Sequence, residues 1–224
     1  MPLTLWSLTA ISLALPVGLV LAWLTYRLPR WIPGEDPTPE ETPTRRWARW
    51  WGLPLVCMGI AVWAVAHHAD SAMVLVTAAL GWGLVLIGTV DGEHFWLPDG
   101  FTLPLIATGL LVAWLTAPHE LADRAIGAVA GFVVLAALAW AYRRSRGREG
   151  LGGGDPRLFA GAGAWVGWLG LPSVLAWASA AAFSVIAARL IVRRKISGAD
   201  RLPFGVFLAA GLWLTWLYGP IGLG

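Results

Sequence analysis

No charged side chain precedes Arg27. The run LTLWSLTAISLALPVGLVLAWLTY, residues 3–26, is long enough as a helix to cross a hydrocarbon layer of about 30 Å. Inside that layer a helix satisfies its own backbone amides and carbonyls, so a run of this kind has little choice of structure. The pattern recurs along the chain. Apolar runs at residues 50–67, 72–90, 101–117, 125–142, 158–169, 172–191 and 204–221 bring the expected number of membrane helices to eight. The sixth is short and is expected either to be partly re-entrant or to begin below the membrane surface. Charged residues make up only 13% of the chain and hydrophobic ones 58%, whereas a soluble domain has about 25% charged residues. A water-soluble fold is therefore excluded. The expected class is an all-α polytopic membrane protein, with residues 1–224 forming one integral membrane domain.

The charges orient this layout. The first span has no basic segment before it, so it is not a secretory signal, and its positive end follows the apolar run. Of the sixteen Lys and Arg residues, all but Arg124 fall on one side if the N-terminus lies outside. Arg27, Arg30, Arg45, Arg46 and Arg49 lie in the first connection. Arg143, Arg144, Arg146, Arg148 and Arg157 lie in the fifth. Arg189, Arg193, Arg194, Lys195 and Arg201 border the seventh. An odd number of spans would scramble this asymmetry, so both termini are expected on the outer, periplasmic side. Basic clusters placed at span ends serve topology and lipid headgroups, and no nucleic-acid partner is expected. Trp50, Trp51, Trp165 and Trp168 fall near span ends, as interfacial anchors do. Residues 29–49, rich in Pro, Thr and Glu, read as an extended, solvated connection. Cys57 is the only cysteine, which excludes an internal disulfide or a cysteine-based zinc site and suits a small buried hydrophobe.

Most of the thirteen acids have an ordinary setting. Glu35, Asp36, Glu40 and Glu41 lie in the first connection. Asp70, Glu120 and Asp123 lie in outer loops, where solvation is expected. Glu149 and Asp200 lie among basic residues. Asp91, Glu93, Asp99 and Asp155 are different, because they fall together at the cytoplasmic boundary. Asp91 ends the third span and Asp155 begins the sixth. Acids at the edge of hydrocarbon face the bundle interior and carry function. Asp155, followed by Pro156, also suits a helix cap, and Asp99 in LPDGFTLP reads as a cap or turn residue. Two carboxyl groups within hydrogen-bonding range cannot both ionise easily, so the pair retains one proton. The ionised member then takes a proton from water while the protonated member polarises a carbonyl, which is peptide hydrolysis without metal or covalent nucleophile. The glycines of GLGGGDPRL, residues 150–158, permit unusual backbone angles and close approach of a substrate backbone to Asp155. Other chemistries lack their signatures. There is no HExxH, no phosphate-loop Lys and Ser or Thr after the glycines, and no serine in a G-x-S-x-G setting.

Four ordered motifs bear a resemblance. GREGLGGGDPRLFAGAGAWVGW resembles the second-aspartate motif of the prepilin peptidases, the membrane aspartic proteases of type IV pilus and type II secretion systems. In it Gly152 and Gly154 match the GxGD glycines and Asp155 the catalytic aspartate. DGEHFWLPDGFTLPL resembles the first-aspartate motif, with Asp91 at the catalytic position and Pro98 and Asp99 at the Pro-Asp pair. TYRLPR and LPFGVFLAAGLWL resemble the end of that family's first span and the start of its last. The resemblance implies eight membrane helices in a bacterial inner membrane. It also implies cytoplasmic-side cleavage of the basic leader of a prepilin or pseudopilin, with no cofactor for the proteolytic step. Arg157 stands where the family has Lys, beside the charge of Asp155 or in reach of lipid phosphate.

Two departures stand out. The cytoplasmic domain that carries paired Cys-x-x-Cys motifs and zinc is replaced here by the short segment 27–49 without cysteine, so no zinc is expected. The family's second activity is methylation of the new amino terminus with S-adenosylmethionine, and loss of that domain argues against its retention. Two other classes would use the same acids. A transporter or proton-relay protein would place them at mid-depth and show an inverted repeat, and neither is seen. A non-catalytic assembly subunit of a secretion apparatus would have no need of both aspartates. The sequence is silent on oligomeric state.

Overall fold

The computed structural model describes residues 4–28, 41–68, 71–147, 152–191 and 202–222. The core of the Pro/Thr/Glu-rich connection (residues 29–40), Asp70, residues 148–151 and the basic residues 192–201 lie outside them. No strand occurs among the described residues. The helices are α1 (Leu5–Arg27), α2 (Pro43–Trp47), α3 (Leu53–His68), α4 (Met73–His94), α5 (Asp99–Thr116), α6 (Leu121–Arg146), α7 (Asp155–Ile191) and α8 (Phe204–Tyr218). A π-helical turn, Ala48–Gly52, joins α2 to α3. Among the described residues, six helical segments are long and apolar enough to cross a membrane, and α8 is a shorter apolar helix. The chain is thus an all-helical, multi-pass membrane protein.

It divides into two compact units, Met1–Thr89 and Val90–Gly224. In the first, α1 packs on α3 through small residues. Ala10, Ala14, Gly18 and Ala22 form a stripe at helical spacing and are buried, as are Cys57, Ala61 and Ala64 of α3. A Cβ at Gly18 would lie 2.4 Å from Pro54 Cα, so the backbones approach closely. Cys57 is fully buried, and its carbonyl accepts a 3.0 Å bond from the Trp82 indole. The expected extended connection proves helical from residue 43 onward. Pro43 occupies the first turn of α2, and Thr42 Oγ1 caps it by accepting from the Arg45 amide at 3.3 Å. Glu41 and Arg49 pair at 3.0 Å across this start.

In the second unit, α7 is the centre and packs against α5, α6 and α8. Its first half is buried on nearly every side, from Asp155 to Trp165. Glycines make this possible. A Cβ at Gly163 would lie 2.0 Å from the Gly127 carbonyl of α6, and one at Gly127 would lie 2.7 Å from the Gly163 carbonyl. Large apolar side chains of α6, such as Ile126, Val129 and Phe132, are turned outward instead. This arrangement suits a lipid exterior, where association rests on close packing of small residues.

The expected sixth and seventh spans are two helical segments within Asp155–Ile191 that meet at a non-helical residue, Gly167 (φ 70°, ψ 176°). The Arg124 guanidinium donates to the Trp165 carbonyl at that break and to Glu120 Oε2 at 2.8 Å. Asp123 lies against Gly167 itself, where a Cβ would be 2.0 Å from its Oδ2. Glu120 and Asp123 are therefore not simply solvated, because a helix interrupted by glycine needs partners for its freed backbone groups. Trp165, expected at the interface, is 3% exposed. Its indole donates to the Leu105 carbonyl at 2.9 Å and its ring meets Trp216 edge-on at 5.2 Å. Trp51 and Trp168 are exposed, as anchors are.

Candidate functional site

Asp91 lies one turn before the end of α4. The helix closes where the Phe95 amide donates to the Asp91 carbonyl at 2.8 Å. The chain then turns through Trp96, Leu97 and Pro98 and restarts at Asp99. Pro98 is the residue before α5, with φ −66°, the angle its ring dictates. Asp99 is thus the first helical residue and not the cap.

Asp155 opens α7, with Pro156 next, where a missing amide costs no helical bond. Its Oδ2 accepts from the Gly152 amide at 2.9 Å, while its own amide donates to the Gly152 carbonyl at 3.2 Å. None of Gly152, Gly153 and Gly154 has a positive φ. Gly154 is needed for space: a Cβ there would meet Leu97 Cβ at 2.4 Å. Gly154 is thereby seated against Leu97, while Gly152 and Gly153 also line the cavity shared by Asp91 and Asp155.

Asp91 and Asp155 are 5% and 2% exposed, respectively, which carboxylates tolerate only with partners. Both line a cavity of about 470 Å³, together with Phe95, Trp96, Asp99 and Arg157. Glu93 is not among the cavity-lining residues; its Oε2 lies 3.7 Å from His94 Nε2.

The partner of Asp91 escaped sequence reasoning. Asp91 Oδ2 accepts from the Val206 amide at 3.1 Å. This is a first-turn amide of α8, and such amides have no acceptor within their own helix. Pro203, which precedes α8, offers no side-chain cap. Asp91 therefore caps α8 from another helix, at the end where a negative charge is favoured. Gly205 permits this, since a Cβ would sit 2.8 Å from the carboxylate oxygen. The available signal was a helix start after proline, without Ser, Thr, Asp or Asn, and with glycine in its first turn.

Arg157 faces neither Asp155 nor solvent alone. It donates to Asp99 Oδ1 at 2.6 Å, across 58 residues of sequence, and ties the start of α7 to the start of α5. Both side chains are partly exposed at the cavity. Among the described residues, no group of three or more His, Cys, Asp and Glu side chains could hold a metal ion. Two buried carboxyl groups on one cavity suit general acid–base chemistry on a bound substrate.

Comparison with known proteins gives one family. The family profile described as type IV leader peptidase matches residues 78–188. A prepilin leader peptidase/N-methyltransferase of Aeromonas salmonicida is 40% identical over 145 residues, covering 65% of this chain and 50% of that protein. The Aeromonas hydrophila protein of the same name is 41% identical over 160 residues, covering 66% and 54%. The leader peptidase HopD of Escherichia coli is 41% identical over 133 residues, covering 59% of this chain and 86% of that protein. The chain thus spans about half the length of the Aeromonas relatives it matches. No solved structure gives a significant match.

Proposed function

Because this chain belongs to the type IV leader peptidase family, we propose that it is a membrane aspartic endopeptidase that removes leader peptides from prepilins or pseudopilins, with Asp91 and Asp155 as its catalytic pair. The observation that carries this reading is that two buried aspartates from distant segments line one cavity. One carboxyl group keeps the proton the pair shares and hydrogen-bonds the scissile carbonyl oxygen. The other takes a proton from a water held between them, and the water oxygen bonds to the carbonyl carbon. The C–N bond then breaks as a carboxyl group returns a proton to the leaving nitrogen. One water is consumed and neither aspartate is changed. The Val206 amide holds Asp91, the Gly152 amide holds Asp155, and Arg157 with Asp99 fixes the two helix starts between them.

The reading extends to topology. The break at Gly167 divides a 37-residue helical stretch, and α8, though short, is strongly apolar. Counting both gives eight crossings, with the termini on the periplasmic side of a bacterial inner membrane. The cavity then opens at the cytoplasmic face, where the basic residues gather. The chain has no second cysteine, so proteolysis is proposed without zinc. Methylation by S-adenosylmethionine is not proposed, because the segment that replaces the usual cytoplasmic domain is short.

Membranes containing the protein, mixed with a prepilin, should convert it to a leaderless form visible as a mobility shift. Persistence of the leader with every prepilin and pseudopilin tried contradicts the proposal. Gly205→Ala should slow the conversion by about 100-fold, because the new methyl displaces the Asp91 carboxylate. Unchanged rates would show that Asp91 does not need the α8 amide. Asp99→Asn should slow cleavage without silencing it and cost at most about 1 kcal/mol of stability, since the Arg157 pair is half exposed. Complete loss of cleavage in a well-folded Asp99→Asn protein would place Asp99 in the chemistry.

A further inference from the structure

Phe95 is the one residue other than glycine with positive φ (53°) among the described residues. It follows the last residue of α4 in the left-handed position where helices end, a position that glycine fills without strain and asparagine tolerates. A bulky aromatic there is under backbone strain, and such strain persists where a site depends on it. The contacts around Phe95 show what the strain achieves. Its amide is bonded to the Asp91 carbonyl, so the ring is set directly from the helical turn that carries Asp91. Two residues later Leu97 is 5% exposed and is locked against Gly154, which fixes the turn on the Asp155 side. Phe95 is not drawn into that packing. It is 47% exposed and lines the cavity with both aspartates. A large apolar ring is therefore held, at a cost in backbone energy, half uncovered beside two buried acids.

We infer that Phe95 is a specificity-determining residue whose ring contacts an apolar side chain of the peptide next to the scissile bond. This rests on the peptidase reading and deepens it. An extended backbone lying across the aspartates brings one neighbouring side chain against the Phe95–Trp96 lip, and an apolar one buries surface there. A charged side chain would lose hydration without gaining a partner. The preference belongs to binding, because Phe95 donates nothing to the acid–base steps.

The test compares Phe95→Gly, Phe95→Asn and Phe95→Tyr in the full-length protein. It uses one peptide spanning a prepilin cleavage site, with either a leucine or an aspartate beside the scissile bond. Cleavage is measured in the otherwise unaltered protein, and binding of the uncut peptide in an Asp155→Asn background. Glycine and asparagine both accept the left-handed backbone, so thermal stability should hold or rise. KM and the dissociation constant for the leucine peptide should each rise about tenfold, with kcat little altered, and discrimination against the aspartate peptide should shrink. Phe95→Tyr should recover most of that loss. If the unaltered protein cuts the leucine peptide and Phe95→Gly keeps its KM and discrimination within twofold, Phe95 only closes a helix, while the peptidase reading stands. If the unaltered protein neither cuts nor binds the peptide, both readings fall together.

Discussion

Asp155→Asn and Asp91→Asn should each lower the rate of leader removal by about a thousandfold or more. The substitution is chosen because it spares the fold. An asparagine side-chain oxygen can still accept from the Gly152 amide in one case and the Val206 amide in the other, so neither the glycine segment nor the start of α8 loses its partner. What is lost is the capacity to hold or take the shared proton. The two residues act as one unit, so the double variant should be little worse than either single one. Initial rates in membranes, with protein amounts matched by immunoblot, check this. A single variant retaining more than a tenth of the activity removes that residue from the chemistry.

Gly163→Ala should produce a large loss of stability, near the top of the range of about 1–3 kcal/mol for overpacking. Its Cβ would fall 2.0 Å from the Gly127 carbonyl oxygen and 2.2 Å from the carbonyl carbon. Those are backbone atoms, so no side chain can rotate away, and α6 and α7 must separate. Because α7 carries Asp155, activity should fall with stability. Gly127→Ala strikes the same contact from the other side, and the two losses should not add. Gly59→Ala, where a Cβ meets nothing within 4 Å, is the control and should leave stability within about 0.5 kcal/mol. Unfolding of the detergent-solubilised protein measures all three. Equal stability of Gly163→Ala and Gly59→Ala would contradict the glycine-to-glycine packing.

Much of this was legible in the sequence because membrane insertion imposes strong local rules. Apolar run length placed the long helices, and the isolation of Asp91 and Asp155 at the ends of apolar runs marked the acids. What escaped was set by tertiary contact. Trp165 reads as an interfacial residue by position, but the pocket that accepts it is made by Gly109 of α5, where a Cβ would lie 2.7 Å from its ring. The glycines before Asp155 suggested unusual backbone angles, whereas Gly154 answers to Leu97, more than fifty residues earlier. Arg157 was expected beside the charge of Asp155 or in reach of lipid phosphate, but its partner is Asp99 at the start of another helix. The Val206 amide has no letter in the sequence, and only the uncapped start of α8 after Pro203, with Gly205 in its first turn, pointed to an acceptor from elsewhere. The start of α2 was visible in Thr42–Pro43 but was masked by the polar composition around it.

The most direct test is intact-mass measurement of the products after purified protein acts on a purified prepilin. Water attack assisted by the two aspartates predicts leader and mature chain whose masses sum to that of the substrate plus one water, with both fragments missing when Asp91 and Asp155 are replaced together by asparagine. Undiminished formation of the same fragments by that double variant would contradict the catalytic pair.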